Sequence, residues 1–253
     1  PPLPEQERIV SILDKAFEGI DKAIAQTEQN LASARELFES YLNNIFTQKG
    51  DDWVEKKLGD CIQKITYGFT NPMPTVDDGH YMVTAKNVRY NCIDYENTRY
   101  TSKEAFDNLL TAKSKPSKGD VLLTKDGTLG RTAVVDTDGI CINQSVAVMK
   151  PLVDIDSYFL MFLLSSQSYQ RKMIADAGGA TVKHIYITRV DKMSLRVPPL
   201  KRQNEIVEEI QLTTTKNRQL EALYTQKLND LKELKQSLLQ QAFAGELTKE
   251  DAA

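Results

Sequence analysis

The chain has 253 residues, 41% of them hydrophobic and 26% charged, with a formal net charge of −3. This is an ordinary globular composition with room for one or two domains with real cores. The longest apolar run, Tyr158 to Leu164, falls far short of the roughly 18 residues that read as a membrane span. Cys61, Cys92 and Cys141 show no pairing pattern, and with His80 and His184 as the only histidines a zinc site lacks ligands. Reduced thiols and a cytoplasmic location, with no membrane, are therefore expected. No signal-peptide pattern opens the chain, and it starts without Met and already inside a repeat, as a fragment or processed form would. Residues 51–197 carry 19 Lys/Arg against 18 Asp/Glu and the remainder 13 against 17, so the acidity sits outside the middle. A near-neutral middle still allows a local basic face, because phosphate contact depends on where charges lie.

Residues 1–47 return at an offset of 197. Pro1-Pro2-Leu3, Gln6 and Ile9-Val10 recur as Pro198-Pro199-Leu200, Gln203 and Ile206-Val207, and the same offset aligns Leu42 with Leu239 and Phe46 with Phe243. Fourteen of the 47 paired positions are identical, without a gap. Each copy opens on a double proline suited to a helix start and continues as proline-free helix. In the first copy Leu13, Ile20, Ala34 and Tyr41, with polar Thr27 in the remaining slot, form one series of sevens; Phe17, Ile24, Leu31, Phe38 and Ile45 form another, offset by four. That is a coiled-coil seam. The equivalent seam of the second copy holds Asn217, Glu221 and Lys235, and Leu220, Leu223, Leu231, Leu234 and Leu238 point to a slightly rotated face. At about 1.5 Å per residue each helix reaches on the order of 60 Å, the length of a spacer.

Between the copies the punctuation changes. Tyr67 to Pro74 contains a glycine and two prolines and reads as a loop with aromatic and hydroxyl groups. Strands are expected at 81–84, 121–124, 132–135, 140–142 and 146–149, with a short helix capped by Ser102. Asp138-Gly139 reads as a turn between neighbouring strands. A helix of about 19 residues is expected from Asp156 or Ser157, then a loop at 178–181 and a strand over 182–187. The second long helix should stop near Gly245. The expected fold is α+β: one globular domain with a curved, hairpin-rich sheet, plus two long helices as an antiparallel coiled-coil spacer. The divisions are 1–48 first helix, 49–197 middle domain, 198–246 second helix and 247–253 tail.

Enzyme chemistry is poorly supported. Asp126-Gly127-Thr128-Leu129-Gly130 matches neither phosphate-loop nor dinucleotide spacing and joins two strands. Asn71-Pro72-Met73-Pro74 begins like an adenine-methyltransferase pocket and departs from it. The histidines lack a nucleophile at catalytic spacing. Loops rich in hydrogen-bonding groups point instead to nucleic acid, since Lys and Arg neutralise phosphate while Arg, Asn, Gln and Asp read base edges. The candidates for DNA contact are Thr70, Asn71, Lys86, Lys125, Asp126, Thr128, Arg131, Asn143, Gln144, Thr181, Lys183 and His184.

The chain resembles the specificity subunit of type I restriction-modification systems. The resemblance is carried by Pro1 to Val10 and its copy from Pro198, by Gly119 to Thr124, Gly127 to Arg131 and Asn143-Gln144-Ser145, and by Leu234 to Leu247. It implies target recognition domains at the ends of antiparallel spacer helices, each reading half of a split double-stranded DNA target. A full member has two such domains; this chain carries one, as half of a subunit or its C-terminal portion, and homodimerisation would restore the second. The resemblance also implies a non-catalytic chain without a cofactor. Methyltransferase (M) subunits would dock on the spacer and bring S-adenosylmethionine, and a restriction or motor (R) subunit would associate indirectly. The competing reading is a scaffold whose long helices bind only protein.

Overall fold

Two helices of more than forty residues frame nine short strands in the computed structural model of the chain, which describes residues 1–47, 50, 52–175, 177–178 and 183–248. Helix α1 spans Leu3–Thr47 and, at the other end of the chain, α6 spans Leu200–Phe243. Both start on the double prolines. Pro2 O accepts from the Glu5 and Gln6 amides at 3.0 and 3.1 Å, and Pro199 O accepts from the Arg202 and Gln203 amides at 2.9 and 3.1 Å. Helix α6 ends where Gly245 takes φ 69°, with the Glu246 amide donating to Gln241 O, a Schellman stop. Among the described residues no helix is long and apolar enough to cross a membrane.

Contacts divide the chain into two units: residues 1–40 with the chain from Gln211 onward, and residues 41–210. In the first unit the helices run antiparallel. Asp21 pairs with Lys235 and Arg35 with Glu221, so fourteen residues up α1 correspond to fourteen down α6. Ile20, Thr27 and Ala34 are buried seven apart, as the heptad reading requires. Thr27 is 1% exposed, and its hydroxyl donates to Ala23 O at 2.7 Å, which is how a polar group fits an apolar seam. The α6 seam follows the repeat positions, and of the rotated leucine face only Leu231 and Leu238 are half-buried. Leu220, Leu223 and Leu234 are exposed at 39%, 68% and 48%, while Asn217, Glu221 and Lys235 are more sheltered and face inward beside buried Leu228. Glu221 and Lys235 find Arg35 and Asp21 across the pair, Asn217 donates to Glu221 within α6, and the Lys235 ammonium lies 4.8 Å from the Phe17 ring centroid.

The second unit holds the sheets. Strands β1 (Val54–Lys57) and β9 (Ser194–Val197) pair antiparallel and bring the two ends of the domain together. The largest sheet is antiparallel, β2 (Ile62–Tyr67), β8 (Val146–Pro151), β5 (Val121–Thr124) and β6 (Thr132–Val134) in that order. A third sheet runs β4 (Arg99–Thr101), β3 (His80–Val83), β7 (Ile140–Ile142), with β3 parallel to β7. The turn at Asp138-Gly139 therefore carries the chain from one sheet to another. Val83, Leu122, Ile140, Ile142 and Val146 form the core between these sheets.

Helix α2 (Lys103–Leu109) is capped as expected, the Ser102 hydroxyl accepting from the Ala105 amide. The expected 19-residue helix is two, α3 (Ser157–Ser165) and α4 (Gln167–Ala175). Ser166 breaks it by taking extended backbone while its hydroxyl donates to Leu163 O at 2.8 Å. In place of the strand expected over 182–187, His184 makes isolated bridges and a short helix α5 covers Ile187–Val190. The residues of α1 and α6 that belong to this unit are buried against it: Leu42, Phe46, Gln203, Ile206, Val207 and Ile210.

Candidate nucleic-acid interface

Five separate stretches of the second unit converge on one cleft of about 770 Å³. Phe69, Pro72, Met73 and Thr75 line it from the proline-punctuated loop, Thr84 to Asn87 from the segment after β3, and Asn97 and Arg99 from the approach to β4. Asp126, Gly127 and Thr128 come from the β5–β6 connection, and Asn143 and Ser145 from the turn before β8. Two of these turns need glycine. A Cβ at Gly68 would fall 1.8 Å from Ile142 O, and Gly127 has φ 78°. Gly68 thereby lets the first loop lie on the β7 end, where the Phe69 amide donates to Ile142 O and the Gln144 amide to Phe69 O.

Ser145 ties three walls together. Its hydroxyl accepts from the Ala85 amide at 3.0 Å and donates to Asn143 Oδ1 at 2.5 Å, and its carbonyl accepts from the amides of Lys125 and Asp126. Asn87 does similar work, its Oδ1 accepting from the Thr84 amide and hydroxyl and its Nδ2 donating to Asn97 O. The polar floor is therefore largely satisfied from within and held rigid. The apolar part is Phe69, Met73 and Met82, with Phe69 and Met73 packing against the buried cluster of Met82, Leu110 and Cys141. Lys86 and Arg99 stand exposed at the rim, and among the described residues neither has an ion-pair partner.

Nearby ionisable groups are set by these contacts. The Asn97 side-chain amide, followed by Arg89, holds the Asp94 carboxyl below its ordinary value. Burial first, then the Asp136 carboxylate, pushes the Tyr95 hydroxyl well up, so it remains a hydrogen-bond donor. Burial pushes the Cys141 thiol up to about 12, which removes it as a nucleophile at neutral pH. Among the described residues no cluster of His, Cys, Asp and Glu could hold a metal ion.

Of the residues picked from the sequence, Lys86, Asp126, Thr128 and Asn143 line the cleft. Thr70 and Asn71 are exposed on the loop between two lining residues, and Gln144 is exposed between two others. Lys125 is 16% exposed and paired with Asp126, and Arg131 is half-buried with its guanidinium donating to Val88 O at 3.3 Å. His184 bridges Asp126 through the backbone and sets its ring edge-on to Tyr186, while exposed Lys183 precedes it outside the lining. Thr181 lies outside the described residues. Sequence reasoning missed Met73, Arg99 and Asn97, whose only signal was proximity to turn residues.

An α+β domain bearing a loop-built cleft with a cationic rim and a largely satisfied polar floor, carried in one chain with a coiled-coil helix pair, defines a binding module. Residues 50–236 match the type I restriction modification DNA specificity domain, and the chain belongs to that family. It is 26% identical over 275 residues to the type I restriction enzyme EcoBI specificity subunit of Escherichia coli, covering 98% of this chain and 58% of that protein. Among solved structures it resembles one from a study of complex assembly and conformational transition of the type I R-M system, with TM-score 0.81 at 20% identity over 97% of this chain and 60% of that one. It also resembles the HsdS subunit from Thermoanaerobacter tengcongensis, with TM-score 0.62 at 20% identity and the same coverage. These structural likenesses speak to the fold, and the chain spans about 60% of the length of the relatives it matches.

Proposed function

We propose that this chain is the sequence-reading, non-catalytic part of a type I restriction-modification complex, and that its cleft recognises one half of a bipartite double-stranded DNA target. The observation that carries this reading is the cleft itself: a hydrogen-bonded floor with apolar patches suited to thymine methyls, and on its rim exposed Lys86 and Arg99, which have no ion-pair partner among the described residues. Such a rim supplies salt-dependent phosphate attraction, and each base-edge pair contributes about 1–3 kcal/mol of discrimination. Lys86, Thr128 and Asp126, which line the cleft, would contact the duplex, and Thr70, Asn71, Gln144 and Lys183 would act from exposed neighbouring positions. Lys125, Arg131, Asn143 and His184 would act chiefly by shaping the loops. Selection from a randomised bipartite duplex library with the methyltransferase partner present should enrich a split motif. A library that returns no motif would overturn the reading.

The helix pair would dock methyltransferase subunits, and through them a restriction subunit indirectly. Its repeat also supports a second recognition domain at the far end. Gln203 and Phe46 are buried on the recognition domain described above, whereas their repeat equivalents Gln6 and Phe243 are exposed. A second copy of this chain could supply that domain. Light scattering should then give a mass near two chains, and a mass near one would remove the homodimer.

A further inference from the structure

Two lysine ammoniums converge on one ring beside the cleft. Lys113 Nζ lies 5.5 Å and Lys125 Nζ 5.3 Å from the centroid of Tyr67, at the end of β2 and two residues before cleft-lining Phe69. The two are not equivalent. Lys125 is 16% exposed and its charge is matched by Asp126. Lys113 is exposed and, among the described residues, has no carboxylate partner. It comes from a 3₁₀ turn, Ala112–Ser114, whose next residue, Lys115, sets its ammonium 4.8 Å from the Phe106 centroid. Phe106 packs on the same buried cluster as Phe69 and Met73. One short turn therefore presents two ammoniums over two aromatic rings, one ring two residues from cleft-lining Phe69 and the other packed on the same cluster as Phe69 and Met73.

We propose that Lys113, held over Tyr67, is a backbone-phosphate contact for duplex DNA lying at this cleft, with Lys115 flanking it. The chemistry is that of a pre-positioned cation. A ring face orients an ammonium and covers one side of it without neutralising it, so the opposite side stays available to an anion. Lys125, already paired, fixes the Asp126 loop and adds no net charge; Lys113 does add it. Because phosphates carry no base identity, this contact should give affinity and register without sequence preference. The inference rests on the reading that the cleft takes duplex DNA.

The test is the salt dependence of binding by the full chain to a fixed duplex, measured by fluorescence anisotropy. Lys113→Ala should reduce the slope of log affinity against log salt by about 1 and weaken all duplexes alike. Lys113→Arg should restore the slope. Lys172, whose ammonium lies 4.7 Å from the Tyr169 centroid outside the cleft lining, is the control, and Lys172→Ala should leave the slope unchanged. An unaltered slope in Lys113→Ala, or an equal loss in Lys172→Ala, overturns the phosphate assignment while the DNA reading stands. A wild-type chain that binds no duplex at low salt, alone or with the methyltransferase partner, overturns both.

Discussion

The two copies of the repeat start from nearly the same residues and meet different surroundings. In the unit of residues 41–210, Phe46 is 5% exposed and sets its ring edge-on to Phe159 at 5.8 Å, while Gln203 is 1% exposed. In the other unit, Phe243, the equivalent of Phe46, is 90% exposed, and Gln6, the equivalent of Gln203, is exposed too. Yet Gln6 donates from Nε2 to Pro1 O at 2.8 Å just as Gln203 donates to Pro198 O at 2.9 Å. The helix start is the same local structure in both copies, and only the burial differs. Identical residues at these positions are thus buried in one copy and exposed in the other.

The sharpest way to break this comparison is at the phenylalanines. Phe46→Ala should destabilise the recognition domain by about 3–5 kcal/mol, the usual cost of emptying a buried aromatic site. Phe243→Ala should stay within about 0.5 kcal/mol in the isolated chain. Urea denaturation of both variants checks this, and equal losses would mean that Phe243 is already packed. The glutamines come next. Gln203 accepts from the Asp156 amide at 2.9 Å and donates to Asp154 O and Pro198 O, so Gln203→Ala leaves buried backbone groups unpaired at about 1–3 kcal/mol. Gln6→Ala in the exposed copy should change stability little. If Gln6→Ala costs as much as Gln203→Ala, the local cap rather than the docking carries the energy.

How legible was this from sequence? The repeat, the double-proline starts, the Gly245 stop and the heptad seam of α1 were open to view, because each depends on residues near in sequence or regularly spaced. What holds the α6 seam was not. The repeat register put Glu221 and Lys235 in it, but counting apolar residues favoured Leu220, Leu223 and Leu234, and what keeps the charged pair there is Arg35 and Asp21 from the other helix. A hydrophobicity pattern cannot show a partner about two hundred residues away. The site divides the same way. Lys86, Asp126, Thr128 and Asn143, picked as hydrogen-bonding residues of loops, line the cleft. Asn143 nonetheless spends its Oδ1 on Ser145, and Lys113 lay unnoticed before Pro116 because its significance depends on Tyr67, brought beside it only by the fold. The break at Ser166 was equally hidden, since Ser165, Ser166 and Ser168 are compatible with a continuous helix and do not by themselves call for an extended backbone.

The smallest effect is the one that separates the helices at their centres. Thr27 is the polar residue in the α1 seam, and its repeat equivalent in α6 is Tyr224. The Thr27 hydroxyl is fully paired within its own helix, so it contributes no contact between the helices, and back-bonding of this kind slightly weakens a helix. Thr27→Val keeps the branched shape, removes a buried hydroxyl and leaves Ala23 O with its ordinary helical partner. It should therefore raise stability by less than about 1 kcal/mol, read as a small upward shift in the urea midpoint with an unchanged slope. A loss instead would show that the hydroxyl does more than satisfy itself, and that α1, like α6, uses a polar group to fix the register of the pair.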